Sequence, residues 1–260
     1  MSAASTVVVT RPGAAGRTLA DELGRAGQPA LWLPAFEFGP APDEPRARAV
    51  LASLAGFDLA VFVSPQAARA AAALLGAPWP AGTAIAVVGA GTRAAVLSSI
   101  EGAAYARVLP ARDRDIRGSG SESLWPVLQS MQPRPRRVLL LRAQGGREWL
   151  AERLEEAGSA VTPLAVYERL PFAPSAGLRA RLAAAAPAGL ASAISSSEAV
   201  DALARMLGDQ PDVWQALRRG LALASHPRIA ERLRAAGFER VGVCAPEAGA
   251  VIASLREGDG

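Results

Sequence analysis

Ten short apolar runs recur along the 260-residue chain, most of them followed by a stretch patterned as an amphipathic helix. They are Val7–Thr10, Ala30–Leu33, Leu59–Val63, Ile85–Val88, Ala106–Leu109, Val138–Leu141, Val161–Val166, Ala191–Ser195, Leu221–Ala224 and Val241–Cys244. Runs without polar alternation read as strands buried on both faces, the pattern of parallel sheets. Strand, helix, strand in this order predicts α/β architecture with doubly wound sheets. Between the first two strands a helix is expected over Ala15–Ala26, closed by Gly27, where a left-handed residue ends helices at little cost. Ala111–Ser123 and Gln132–Arg136 are polar or rich in Pro and Gly and read as loops.

The alternation also repeats. Val7-Val-Val-Thr-Arg11 matches Val138-Leu-Leu-Leu-Arg142, an offset of 131 residues. The same offset aligns Leu19-Ala-Asp-Glu-Leu23 with Leu150-Ala-Glu-Arg-Leu154, and Ala26-Gly27 with Ala157-Gly158. Ser64-Pro-Gln-Ala67 then lines up with Ser196-Ser-Glu-Ala199, and Gly89-Ala-Gly-Thr-Arg-Ala94 with Ser225-His-Pro-Arg-Ile-Ala230. Two homologous α/β units of about 130 residues, an ordinary domain size, are therefore expected. The repeat fits a tandem cut near Gln132 as well as an interleaved arrangement.

The residues that are absent narrow the chemistry. The chain has no lysine, so all 28 basic residues are arginine. That excludes Schiff-base catalysis and the lysine-bearing phosphate loop. Cys244 is the single cysteine and His226 the single histidine, which excludes an intrachain disulfide, a Cys-x-x-Cys pair and a multi-histidine metal site. No metal or organic cofactor is expected. The formal charge of +4 is modest, and arginines neighbour acids, as in Arg112-Asp-Arg-Asp115. No basic stripe interleaved with aromatics is present, so nucleic acid is not an expected partner, and apolar stretches broken before the roughly 18 residues of a membrane span make a membrane none either. The start, Met1 to Arg11, is too short and too soon charged for a secretory signal, and a cytoplasmic protein is expected.

Polar residues cluster just after the expected strands, at Thr10-Arg11, Ser64-Pro-Gln66, Gly89 to Thr92, Arg142 to Arg147, Ser195 to Ser197 and Ser225-His226. The carboxyl edge of a doubly wound sheet carries the ligand site, where helix N-termini present free N–H groups. Helix capping accounts for hydroxyls at single turns. Six turns in repeated positions suit a small polyanion. Gly89-Ala-Gly-Thr-Arg-Ala94 resembles half of a dinucleotide fingerprint but lacks its acid, which disfavours a nucleotide-dependent transferase. His226 reads as a base or as part of a tight helix start, and Cys244 as a buried small residue. Tyr167, where the Val161–Val166 strand ends, reads either as a hydrogen-bond donor or as a packing residue.

In order and spacing, Val9-Thr-Arg-Pro12, Leu33-Pro34, Val61 to Gln66, Val88-Gly89 with Thr92, Leu141-Arg-Ala-Gln-Gly-Gly-Arg147, Gly158, Val166-Tyr-Glu-Arg169, Ser195-Ser-Ser197 and Ser225 to Ala230 resemble the uroporphyrinogen-III synthase family. The resemblance runs from about Val7 to Leu255. It departs from the family at Ser225-His-Pro-Arg228, where many relatives carry Gly-Pro-Thr-like residues. It implies two flavodoxin-like domains interleaved in sequence, 1–35 plus 168–260 and 38–165, joined by hinge segments at 36–37 and 166–167. It implies a carbon-oxygen lyase of haem synthesis, acting as a monomer, that closes the linear tetrapyrrole polycarboxylate hydroxymethylbilane to uroporphyrinogen III with inversion of ring D and loss of water. By the same resemblance Tyr167 would serve catalysis. Arg11, Ser64, Thr92, Arg142, Gly145, Gly146, Arg147, Ser196, Ser197 and Ser225 would bind substrate. The competing class is a non-catalytic two-lobed binding protein for an acidic small molecule.

Overall fold

A computed structural model describes residues 5–110 and 120–258. Numbered in chain order, the first half contains β1 (Thr6–Val9), α1 (Gly13–Arg25), β2 (Ala30–Trp32), β3 (Phe36–Gly39), α2 (Glu44–Ala52), β4 (Leu59–Phe62), α3 (Pro65–Leu74), β5 (Ala84–Val87), α4 (Ala90–Ser99), β6 (Val108–Leu109) and α5 (Ser121–Gln129). The second half contains β7 (Arg137–Ala143), α6 (Trp149–Glu156), β8 (Ala160–Pro171), α7 (Ala176–Ala185), β9 (Leu190–Ile194), α8 (Glu198–Met206), α9 (Pro211–Arg219), β10 (Leu221–Ala224), α10 (Pro227–Ala235), β11 (Arg240–Val243) and α11 (Ala248–Gly258). The chain divides into two compact units, Met1–Phe38 with Leu170–Gly260 and Gly39–Arg169.

In the first unit the sheet order is β11-β10-β9-β1-β2, every pair parallel. β9 sits at the centre and all five of its residues are buried. Parallel pairing needs a covered sheet, and two layers cover it. Val8, Leu31 and Ile194 pack with α8 residues Ala199, Val200 and Leu203 on one face. Val7, Val9 and Leu223 pack with α1 residues Leu19 and Leu23 and α11 residues Val251 and Leu255 on the other. The helices after β1 and β9 thus leave on opposite faces, which opens a crevice between these strand ends.

The six-stranded sheet has the order β3-β8-β7-β4-β5-β6, and the second unit's strands β8-β7-β4-β5-β6 are parallel throughout. Laid on the first, β8-β7-β4-β5-β6 occupies the places of β2-β1-β9-β10-β11. The internal repeat follows this correspondence: Arg142 ends β7 as Arg11 follows β1, and Ser64 follows β4 as Ser196 follows β9. Here β7 and β8, which take the places of β1 and β2, come last in sequence. α6 packs with Leu59, Val61, Val138 and Leu140 on one face, while α3 covers the opposite face of β4 and β7, so the switch point lies between β4 and β7.

Several sequence expectations need correction. The expected loop Ala111–Ser123 ends too late, because α5 starts at Ser121; its residues 111–119, including Arg112–Asp115, lie outside the described residues. Ser and Glu there suggested a loop, but Leu124 and Leu128 bury one helical face. Tyr167 does not follow its strand. β8 continues to Pro171, and Tyr167 lies within it, where a register shift pairs Ala143 with Tyr167. Cys244 is only partly buried, because β11 is an edge strand with no fully buried residue.

Candidate functional site

In the first unit the β1–α1 turn places Thr10 and Arg11 at the switch point. Thr10 is fully buried and ties this end to β9, its Oγ1 and N both donating to Ala193 O at 3.0 and 3.1 Å. Trp32 Nε1 donates to Arg11 O at 2.8 Å, which anchors the Arg11 backbone. Among the described residues the Arg11 guanidinium has no hydrogen-bond or ion-pair partner. Arg11, Ser195 and Ser225 meet with Cys244 around a crevice of only about 10 Å³. Ser196 and Ser197 precede α8. Ser197 makes no side-chain cap, so capping does not account for its hydroxyl.

His226 does cap. Its Nδ1 accepts the N–H of Arg228 at 3.2 Å, in line with a tight helix start. Burial pushes the Cys244 thiol above its ordinary value; Ser254 opposes this by a hydrogen bond and the Glu247 carboxylate adds to it. A thiol held protonated is a poor nucleophile.

In the second unit Ser64 caps α3, its Oγ accepting the N–H of Ala67 at 3.0 Å. The same Oγ lies 3.2 Å from the hydroxyl of Tyr167, whose residue is 2% exposed. Ser64 therefore serves capping and the tyrosine contact together. Gly89 is the N-cap of α4, and Thr92 is buried in that helix's first turn.

The Arg142–Arg147 turn is internally organised. Arg142 Nη1 donates to Gly146 O at 3.0 Å and Arg147 O at 3.2 Å, and its Nη2 donates to Glu148 at 2.5 Å. Gly145 takes φ +65°, a left-handed turn that a side chain would strain. A Cβ on Gly146 would lie 3.2 Å from Arg142 Cδ. Arg147 is exposed and pairs with Glu122 at 2.6 Å. Glu122 and Glu148 were not among the residues expected from sequence. Glu122 lies in the stretch read as a loop, and nothing in its local pattern points to Arg147.

The candidates thus gather into one cluster per unit, each at a switch point. Thr10, Arg11, Ser195–Ser197 and Ser225 form one, and Ser64, Tyr167 and Arg142–Arg147 the other; Thr92 lies apart from it, in the helix after β5. A cleft of about 1110 Å³ in the first unit opens instead at the amino-terminal strand edge between residues such as Ala186, Leu190, Arg219 and Leu221. It holds none of the candidates, and size alone does not make it the site. Among the described residues no group of His, Cys, Asp and Glu could hold a metal, and no helix is long and apolar enough to cross a membrane.

Two parallel, doubly wound α/β units that carry corresponding arginine and hydroxyl turns at their switch points define a duplicated α/β protein. The family model described as "Uroporphyrinogen-III synthase HemD" matches residues 17–252, and the chain belongs to this family. Proteins named uroporphyrinogen-III synthase from Escherichia coli (strain K12) and Salmonella typhimurium (strain LT2) are each 32% identical over 167 residues, 63% of this chain. The match spans 65% of each relative, just under two thirds of its length. The fold is similar to the crystal structure of uroporphyrinogen-III synthetase from Helicobacter pylori 26695, with a TM-score of 0.61 and 16% identity over 98% of this chain and 99% of that one. It is also similar to a mutant uroporphyrinogen III synthase from the extremely thermophilic bacterium Thermus thermophilus, with a TM-score of 0.58 and 22% identity over 99% and 97% of the two chains.

Proposed function

We propose that the chain is a uroporphyrinogen-III synthase. The observation that carries the reading is the family match over residues 17–252, which includes the strand-end turns of both units except Thr10-Arg11. The substrate is the linear tetrapyrrole hydroxymethylbilane. Its terminal C–O bond breaks, the oxygen takes up a proton and leaves as water, and a reactive protonated azafulvene remains. The terminal pyrrole then attacks through its substituted carbon to give a spiro intermediate, which reopens and closes with ring D inverted. Loss of a proton restores the pyrrole. The substrate supplies its own leaving group and nucleophile, so the enzyme's task is orientation, a contribution that reaches about 7–11 kcal/mol in well-aligned systems. Strand-end N–H groups and arginines suit the eight carboxylates. Tyr167 is the side chain suited to hydrogen-bond the departing hydroxyl.

The reading includes a hydro-lyase acting as a cytoplasmic monomer without cofactor. It also includes domains 1–35 plus 168–260 and 38–165 that move about segments 36–37 and 166–167. Supplying hydroxymethylbilane and separating the product isomers tests the activity. Uroporphyrinogen III is expected, and the spontaneous type I isomer alone would overturn it.

The arginines are expected to differ in weight. Arg11→Ala removes an unpaired guanidinium and is expected to raise KM by roughly 1–3 kcal/mol, about 5- to 150-fold. Arg147→Ala removes an exposed pair with Glu122, 59% and 52% accessible, and is expected to change KM by less than about fivefold. Steady-state kinetics check the ranking; equal losses would show that both arginines contact substrate alike.

A further inference from the structure

The second unit carries a cationic position beside β7 that the polar turns do not include. A cleft of about 210 Å³ opens where the start of α2 meets the carboxyl end of β7 and the middle of β8. Arg46, Arg142 and Gln144 line it, with Leu164 and Ala165 of β8 as an apolar wall. Asp43 is the one acid among its lining residues, and Asp43 Oδ1 is committed to capping α2, accepting the N–H of Arg46 at 3.0 Å. Two residues further on, Arg48 is neutralised by Glu44 at 2.8 Å. Arg46 has no such pair: Pro42 and Val50 stand four residues away on either side, and Asp43, three residues before it, caps the helix without an ion pair to its guanidinium. Among the described residues its guanidinium has no hydrogen-bond or ion-pair partner.

We propose that Arg46, with Gln144 beside it and Arg142 held in the wall by its pair with Glu148, forms a subsite for one carboxylate arm of a polycarboxylate ligand. The volume lies below the roughly 300 Å³ at which pockets take whole drug-sized ligands, so it suits a branch rather than a ring system. The apolar wall accommodates the methylenes of an acetate or propionate arm, and a guanidinium receives its two oxygens in a fork. The choice of a tetrapyrrole as the ligand rests on the proposed function; the unpaired charge in the cleft does not.

The test compares Arg46→Ala, Arg46→Lys and Arg48→Ala in the full chain. Binding is read by fluorescence titration with uroporphyrin, a stable octacarboxylate, and KM and kcat with hydroxymethylbilane. Arg46→Ala is expected to weaken binding and raise KM about three- to tenfold with kcat unchanged, an exposed charged hydrogen bond being worth that much. Arg46→Lys is expected to recover part of the loss, and Arg48→Ala to match the parent. Parental binding and KM in Arg46→Ala would overturn the subsite. So would equal losses in Arg48→Ala, or a parent that binds no uroporphyrin. A parent that binds uroporphyrin through Arg46 yet yields only the type I isomer would overturn the proposed activity and leave the subsite standing.

Discussion

Gly16→Ala is expected to destabilise the first unit by about 2–4 kcal/mol, roughly 10 °C in melting temperature. The sign is opposite to the usual one, since alanine in a helix interior ordinarily gains up to about 1 kcal/mol over glycine. A Cβ at Gly16 would sit 1.7 Å from Arg11 O and 2.8 Å from Trp32 Nε1, the two atoms joined by the hydrogen bond that anchors the turn. The new methyl must displace backbone, not the end of a flexible side chain, so both the helix contact and the hydrogen bond are lost. Arg11 would shift with its carbonyl, and KM is expected to rise as well. Gly24→Ala, in the same helix with nothing within 4 Å, is the control and should be neutral or stabilising. Thermal unfolding of the two variants checks this; equal melting temperatures would mean that α1 does not approach β1 so closely.

Tyr167→Phe is expected to lower kcat about 10- to 100-fold while costing about 1 kcal/mol of stability. The ring keeps its buried place in β8, and only the hydroxyl beside Ser64 Oγ is lost. Ser64 retains the N–H of Ala67, so the cap of α3 persists. Ser64→Ala removes that cap too and should cost about 1 kcal/mol more in stability. Comparing kcat with unfolding midpoints separates the roles. A Phe variant with parental kcat would make Tyr167 a packing residue and leave positioning to carry the reaction.

The parallel strands were legible because burial on both faces leaves unbroken runs such as Leu59-Ala-Val-Phe62. The repeat placed Arg11 with Arg142 and Ser64 with Ser196, and these pairs occupy corresponding sheet positions. β3 was harder to see, since Phe36-Glu-Phe38 alternates over too few residues to exceed turn-level noise. The start of α2 carries a readable cap, Asp43 followed by Pro45, yet its approach to the end of β7 depends on tertiary packing. The same holds for Glu122 and Glu148. Their partners are fixed by where α5 and the turn before α6 settle, which no local periodicity encodes. Tyr167 was placed one residue beyond its strand because the register shift at Ala143 is invisible in a run of apolar residues.

The strand order also has a bearing on synthesis. Every strand that pairs within the second unit's parallel sheet has been made soon after Arg169 emerges, whereas β1 must wait for β9, Thr6 pairing with Leu190 across 184 residues. A ribosome moving at roughly 5–20 residues per second therefore holds Val7-Val-Val9 without its central neighbour for about 10–40 s. Closing so long a loop is easier when the intervening chain is already compact, because closure entropy grows with the flexible length that must be gathered. The inserted unit, folding first, would shorten the distance over which the first and last segments of the chain must find each other.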